Sequence, residues 1–337
     1  MSLLTVDSLR IEFGPTSNPL TAVDRVGFSI EAGEVVGLIG ESGSGKSLTS
    51  RAIMRLVSYP GRITDGSIIF DGRSILEMSP RELRDFRARD VGMIFQDPFS
   101  SLNPVYRVGA QLAETLRVNA GLSRRAARNT AVELLDSVGI PDAPRRAMSY
   151  PHELSGGMRQ RVMIAFATAA KPRLLLADEP TTALDVTTQK QILTLLSDMR
   201  HDNTMAMLLV SHDFGVIAQM CDRVVVMYGG RIVESGQILD VYESPRHPYT
   251  KTLLASVPHL EVGERGRRRL IPGGQPPQPG TIQQGCVFTP RCSQSREECT
   301  RVSMTLEPPD SLHQSACPFE PTSVEPMPLP LVIGGVT

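Results

Sequence analysis

GESGSGKS, Gly40–Ser47, follows the apolar run EVVGLI and precedes SLTSRAIMRL, which has helical character. A strand, a glycine-rich turn and a helix in that order leave little choice of fold. The turn aims backbone N–H groups at one point, and the helix N-terminus adds partial positive charge there. Such a cradle suits phosphate. The spacing matches G-x-x-x-x-G-K-[ST], in which Lys46 reaches the β- and γ-phosphates and the Ser47 hydroxyl ligates magnesium. Gly40, Glu41, Ser42, Gly43, Ser44, Gly45, Lys46, Ser47 and Leu48 are therefore the expected nucleotide-binding residues. Arginine far outnumbers lysine, and the lysines are Lys46, Lys171, Lys190 and Lys251. A compact ammonium, not a planar guanidinium, stands where the phosphates are expected.

The rest of the chain alternates in kind. LTVDSLRIEF, AVDRVGFSI, EVVGLIG, DVGMIFQD, RLLLADEP, AMLLVSHD and RVVVMYGGRIVESG read as strands, and GSIIFDG as a hairpin element. Near-continuous apolar strands alternating with helices predict a parallel sheet covered on both faces. The alternating strands at the start and around residues 63–71 predict an antiparallel side sheet. Within 97–160, VGAQLAETLRVNAGL and RRAARNTAVELLDSVGI are helical and lack the long heptad run of a coiled-coil arm. ERGRRRLIPGGQPPQPG reads as a linker, with Arg265–Arg269 either solvated or facing anionic lipid. The expected fold class is α/β: a P-loop NTPase (RecA-like) core with an antiparallel β side sheet, an α-helical insertion and a C-terminal cysteine-containing extension. The expected segments are core 1–96, helical subdomain 97–160, core 161–256 and extension 257–337.

Two further motifs carry chemistry. LLLADEP is an apolar strand ending in two carboxylates. Asp178 is placed to hold magnesium, and Glu179 to orient and polarise an attacking water. LSGGMRQR, Leu154–Arg161, opens a helix with Ser155, Gly156 and Gly157, a second anion-binding N-terminus. One chain thus carries two phosphate cradles and one P-loop. The net charge of −1 gives no general attraction to nucleic acid. No run approaches the ~18–20 apolar residues of a membrane span, and MSLLTVDSLRIEF lacks the layout of a signal peptide. A cytosolic protein is expected, docked by a partner if it works at a membrane.

These motifs resemble those of the ATP-binding cassette family, whose LSGGQ signature is LSGGM here with Gln160 close behind. The resemblance includes Gln96 in FQDP, Ala183-Leu184-Asp185 after the acidic pair, and His212 in LVSHD. It implies an ATPase with ATP and Mg2+, working as a head-to-tail pair of cassettes. Ser155, Gly156, Gly157 and Gln160 of one cassette then close on the nucleotide of the other, and Asp185 joins the nucleotide-binding set. By the same resemblance Gln96 lies near magnesium and the water, His212 contacts the γ-phosphate, and Lys46, Gln96, Glu179 and His212 form the catalytic set. Ser47, Gln96 and Asp178 would surround magnesium. A structural role for His212 is the other reading of a histidine after an apolar strand. Phe13 either stacks on adenine or packs in the core.

SPRHPYTKTLLASVP, Ser244–Pro258, resembles the C-terminal extension of the dipeptide/oligopeptide (and nickel) importer ATPases. That implies a second homologous ATPase, two transmembrane permease subunits, an extracytoplasmic solute-binding protein, and a place on the cytoplasmic face of the inner membrane. A soluble cassette ATPase acting on nucleic acid or ribosomes is the alternative. It calls for a coiled-coil insertion or two cassettes in one chain, and neither pattern is present. A non-hydrolysing relative is expected to lack Glu179 or His212. Four of the five cysteines, Cys286, Cys292, Cys299 and Cys317, crowd the tail as C-x5-C-x6-C-x17-C. Disulfides are disfavoured in a cytosolic chain, and soft thiolates suit zinc or an iron–sulfur cluster. The resemblance implies a [4Fe–4S] cluster, with Zn2+ or unligated thiols as alternatives. Cys221 is expected in the core.

Overall fold

The computed structural model describes residues 2–97, 101–203, 205–255, 277, 284–309 and 311–319. The Arg265–Arg269 run and almost all of the expected linker lie outside the described residues. The chain forms two compact units. One comprises residues 31–34 and 77–208, and the other draws on residues 2–30, 35–76 and 209–337.

The first unit carries a short parallel pair. Strand Val91–Ile94 runs beside Leu174–Asp178, with Val91 opposite Leu174 and Ile94 opposite Ala177. Every residue of both strands is buried, as the apolar runs require of strands covered on both faces. The backbones pack closely: a Cβ on Gly92 would sit 2.1 Å from the Ala167 carbonyl oxygen. The expected helices are present as Val108–Ala120 and Arg124–Ser137. The first stops at Gly121, whose φ of 67° is the left-handed cap that glycine adopts without penalty. Helix Pro80–Arg89 starts with a full capping box between Ser79 and Glu82 and proline in its first turn. Helix Gly156–Thr168 and the longer Val186–Asn203 also belong to this unit.

The second unit holds two sheets. The side sheet is antiparallel, and Leu4–Phe13 is its centre, paired with Leu20–Ile30 on one side and Arg62–Phe70 on the other. In the other sheet, Val35–Ile39 lies parallel to Arg223–Tyr228, which makes an antiparallel hairpin with Arg231–Gln237. Gly229 and Gly230 both have positive φ, 54° and 81°, which suits a two-residue hairpin turn. One strand was invisible in the sequence. Gln314–Ser315, from the cysteine tail, pairs with Ser235 and Glu234 along the free edge of that hairpin. Cys221 is buried, and a Cβ on Gly37 would lie 3.0 Å from its sulfur, so it fills the space beneath strand Val35–Ile39.

The helix after the P-loop is shorter than its apolar pattern predicts. It spans Lys46–Ile53 and is capped by Met54. Arg55 then takes a φ of 50°, which bends the chain out of helical geometry.

Candidate nucleotide site and cysteine pocket

The P-loop lies in the second unit. Gly45 caps the helix Lys46–Ile53 in a left-handed conformation at φ 100°. Gly43 is also left-handed, at 81°. Gly40 is required for a different reason: a Cβ there would sit 2.1 Å from the Met227 carbonyl oxygen. Lys46 is 5% exposed. Its Nζ donates to the carbonyls of Gly40 and Glu41, at 2.7 and 2.9 Å, and to Ser44 Oγ at 3.4 Å. The ammonium is thus held over its own loop by backbone oxygens that a phosphate can replace as partners. Ser47 and Leu48 are half-buried at the helix start, and Ser42 and Gly43 are exposed. The Phe13 ring lies against Gly61, where a Cβ would approach it to 2.8 Å. His212 is exposed at the end of strand Ala206–Ser211, just before helix Phe214–Met220, which Asp213 caps through the Gly215 N–H.

The first unit assembles a second group of predicted residues. Asp178, fully buried, ends its strand, and Glu179 follows in a left-handed conformation at φ 49°. A non-glycine residue in that region is uncommon. Gln96 Nε2 and Thr182 Oγ1 both donate to Glu179 Oε2, at 2.9 and 2.8 Å. Gln96 and Glu179 are therefore brought together. Thr182 carried no signal of its own beyond its place three residues after the carboxylate. Ser155 caps the signature helix by accepting from the Met158 N–H, and both Ser155 and Gly156 are exposed. Gly157 lies beside Thr188, whose methyl would meet a Cβ at 2.7 Å. Thr188 in turn donates to Asp185 from its hydroxyl and its N–H, which holds that exposed carboxyl below its usual range. Gln160 differs from its neighbours: it is 3% exposed, on the inward side of the helix.

The tail cysteines share one small cavity of about 20 Å3, lined by Cys286, Cys292, Cys299, Cys317, His247 and Phe288 among others. None is in a disulfide. His247 Nε2 stands 3.9 Å from Cys286 Sγ. Burial raises the thiols of Cys286, Cys292 and Cys317, and neighbouring cysteines add to the shift. Burial also holds His247 neutral, with its pKa lowered to about 4. Among the described residues, no group of three or more His, Cys, Asp or Glu stands in geometry to hold a metal ion. By chemistry the donor set nonetheless suits a soft metal, since four thiols and an imidazole face one enclosed space.

The tail is anchored by a residue the sequence did not flag. Glu234, fully buried, accepts from the N–H groups of Arg246 and His247, at 2.7 and 2.8 Å, and pairs with His313 Nε2 at 2.7 Å.

A strand-borne P-loop, a carboxylate pair at a strand end and a serine-capped glycine helix define a nucleoside triphosphatase of the cassette type. Residues 23–182 match the family described as ABC transporter, and residues 233–299 match "Oligopeptide/dipeptide transporter, C-terminal region". The dipeptide transport ATP-binding protein of Escherichia coli K12 is 44% identical over 321 residues, covering 95% of this chain and 97% of that one. The oligopeptide transport ATP-binding protein of Salmonella typhimurium is 48% identical over 297 residues, 88% of each chain. A solved dimeric, post-hydrolysis ATP-binding cassette with ADP and phosphate superposes with a TM-score of 0.63 at 28% identity, over 70% of this chain and 98% of that one. The chain belongs to the ABC transporter ATPases, in the branch that carries the oligopeptide/dipeptide C-terminal region. No described helix is long and apolar enough to cross a membrane.

Proposed function

We propose that this ATPase energises the import of dipeptides or oligopeptides, as the names of its relatives say of them. It sits on the cytoplasmic face of the membrane and pairs with a second, distinct cassette subunit. Its other partners are two permease subunits and an extracytoplasmic binding protein. The segments 1–96, 97–160, 161–256 and 257–337 divide the work among nucleotide binding, coupling with signature, hydrolysis and tail.

The observation that carries the hydrolytic reading is Glu179, with its carboxylate steered by Gln96 and Thr182. Glu179 orients the attacking water and accepts its proton, while Gln96 fixes which carboxylate oxygen faces it. Lys46 neutralises the γ-phosphate charge, and His212 donates to the same group. Ser47, Gln96 and Asp178 would hold magnesium, which neutralises charge between the β- and γ-phosphates when bound. Ser155, Gly156 and Gly157 close on the nucleotide of the partner cassette. Gln160 supports that turn from its buried position, Asp185 fixes the segment through Thr188, and Phe13 flanks the adenine.

Glu179→Gln tests this directly. ATP binding should persist while turnover falls by on the order of a hundredfold or more; undiminished hydrolysis would remove Glu179 from its role. Peptide import is tested with the complete importer in vesicles. ATP-dependent dipeptide uptake supports it, and hydrolysis indifferent to a peptide-loaded binding protein overturns it.

For the four cysteines the proposed occupant is a [4Fe–4S] cluster, with zinc as the alternative. The soft donor set of four thiols gathered at one place supports this reading. Anaerobically purified protein should contain iron and sulfide and absorb in the visible, and Cys286→Ser should remove both. Zinc alone by elemental analysis would replace the cluster.

A further inference from the structure

Residue 41 of the P-loop is held at three polar groups, and two of the three restraints come from outside the nucleotide motifs. Its carbonyl accepts from Lys46 Nζ at 2.9 Å. Its N–H donates to Tyr249 Oη at 2.8 Å. Its carboxylate receives Arg291, whose guanidinium nitrogen stands 2.7 Å from Glu41 Oε2. Tyr249 belongs to the PRHPYT string, and Arg291 immediately precedes Cys292 in the 3-10 turn Thr289–Arg291.

Neither restraint is a loose surface contact. The Arg291 side chain is 7% exposed. The same nitrogen lies 3.2 Å from Tyr228 Oη, and the guanidinium carbon is 5.8 Å from the Tyr228 ring centre. Tyr228, Tyr249 and Phe288 form one aromatic block, with ring centres 4.5 to 5.4 Å apart. Phe288 also meets His247 at 6.0 Å, and His247 reaches Cys286. Thr289, at the start of the Arg291 turn, donates to the Cys286 carbonyl at 2.8 Å. The cysteine pocket and the P-loop are therefore two ends of one packed cluster within the second unit. Packed clusters shift between discrete arrangements and do not deform freely.

We propose that Arg291 and Tyr249 are positioning residues for the P-loop, so that the folded cysteine segment sets the affinity of the nucleotide site. Neither residue need touch the nucleotide. They fix Glu41, whose carbonyl is one of the seats of the Lys46 ammonium. The proposal holds whichever metal the thiols take, because it runs through the guanidinium and the phenol.

The test uses the full chain, a fluorescent ATP analogue for binding, and steady-state hydrolysis of Mg-ATP. Arg291→Ala should weaken binding and raise KM by about tenfold, with kcat within about twofold. Arg291→Lys, which keeps the charge but not the planar fork, should recover part of the loss. Tyr249→Phe keeps the ring and removes only the acceptor, so it reads the same effect should Arg291→Ala fail to fold. It should weaken binding severalfold. Removing the exposed Arg117–Glu114 pair with Arg117→Ala serves as control and should leave binding unchanged. Folded Arg291→Ala and Tyr249→Phe proteins that bind the analogue like wild type, even with lowered melting temperatures, would overturn the proposal. So would a loss confined to kcat.

Discussion

Single residues in this protein serve packing and chemistry at once. Gly40 opens the phosphate loop, yet its lack of a side chain is dictated by the Met227 carbonyl 2.1 Å from where a Cβ would lie. Gly40→Ala should therefore destabilise the fold by about 1–3 kcal/mol, read by chemical denaturation without nucleotide. An effect visible only with ATP present would assign that glycine to phosphate contact alone. Thr182 makes the converse case: nothing about a threonine three residues after a carboxylate marks it as part of a reaction centre, yet its hydroxyl holds Glu179. Thr182→Val should lower kcat by roughly fivefold, the worth of one ordinary hydrogen bond, and leave ATP affinity close to wild type. Unchanged kcat would show that Gln96 alone is sufficient.

Among the elements, Glu234 joins pieces that are far apart in the chain. From its strand it fastens the turn at Arg246–His247 and the tail at His313, 79 residues away. Glu234→Ala would leave two N–H groups, one of them buried, and an imidazole without their shared acceptor. The expected cost is about 3 kcal/mol or more, seen as rapid protease cleavage of the tail while the rest of the chain stays intact. A tail as resistant as wild type would mean that the cysteine pocket holds it alone. This separation also shows what the sequence could disclose. Strands such as Leu174–Asp178 and helices such as Arg124–Ser137 were legible because their periodicity and caps are local. The P-loop and signature were legible because their chemistry needs fixed short spacings. Glu234–His313, the strand Gln314–Ser315 and Arg291–Glu41, 250 residues apart, were not, because single charges and a two-residue strand have no period.

At the scale of the whole molecule, the P-loop and the signature helix fall in different compact units. Ligand bound at the P-loop should stabilise the folded chain. At about a hundred times Kd the gain is about 2.7 kcal/mol, and calorimetry of the full chain should show it as an upward shift of the unfolding transition. A transition that ATP does not move would contradict the assignment of the loop. The tail strand Gln314–Ser315 bears on how the protein is made. Until residues 314–315 are synthesised, the backbone of Arg231–Gln237 lacks this partner along that edge, and an open edge invites pairing with other chains. A segment made well after that strand is thus the one that covers its edge. A nascent chain stalled before residue 314 would expose a sticky margin to its neighbours on the same message.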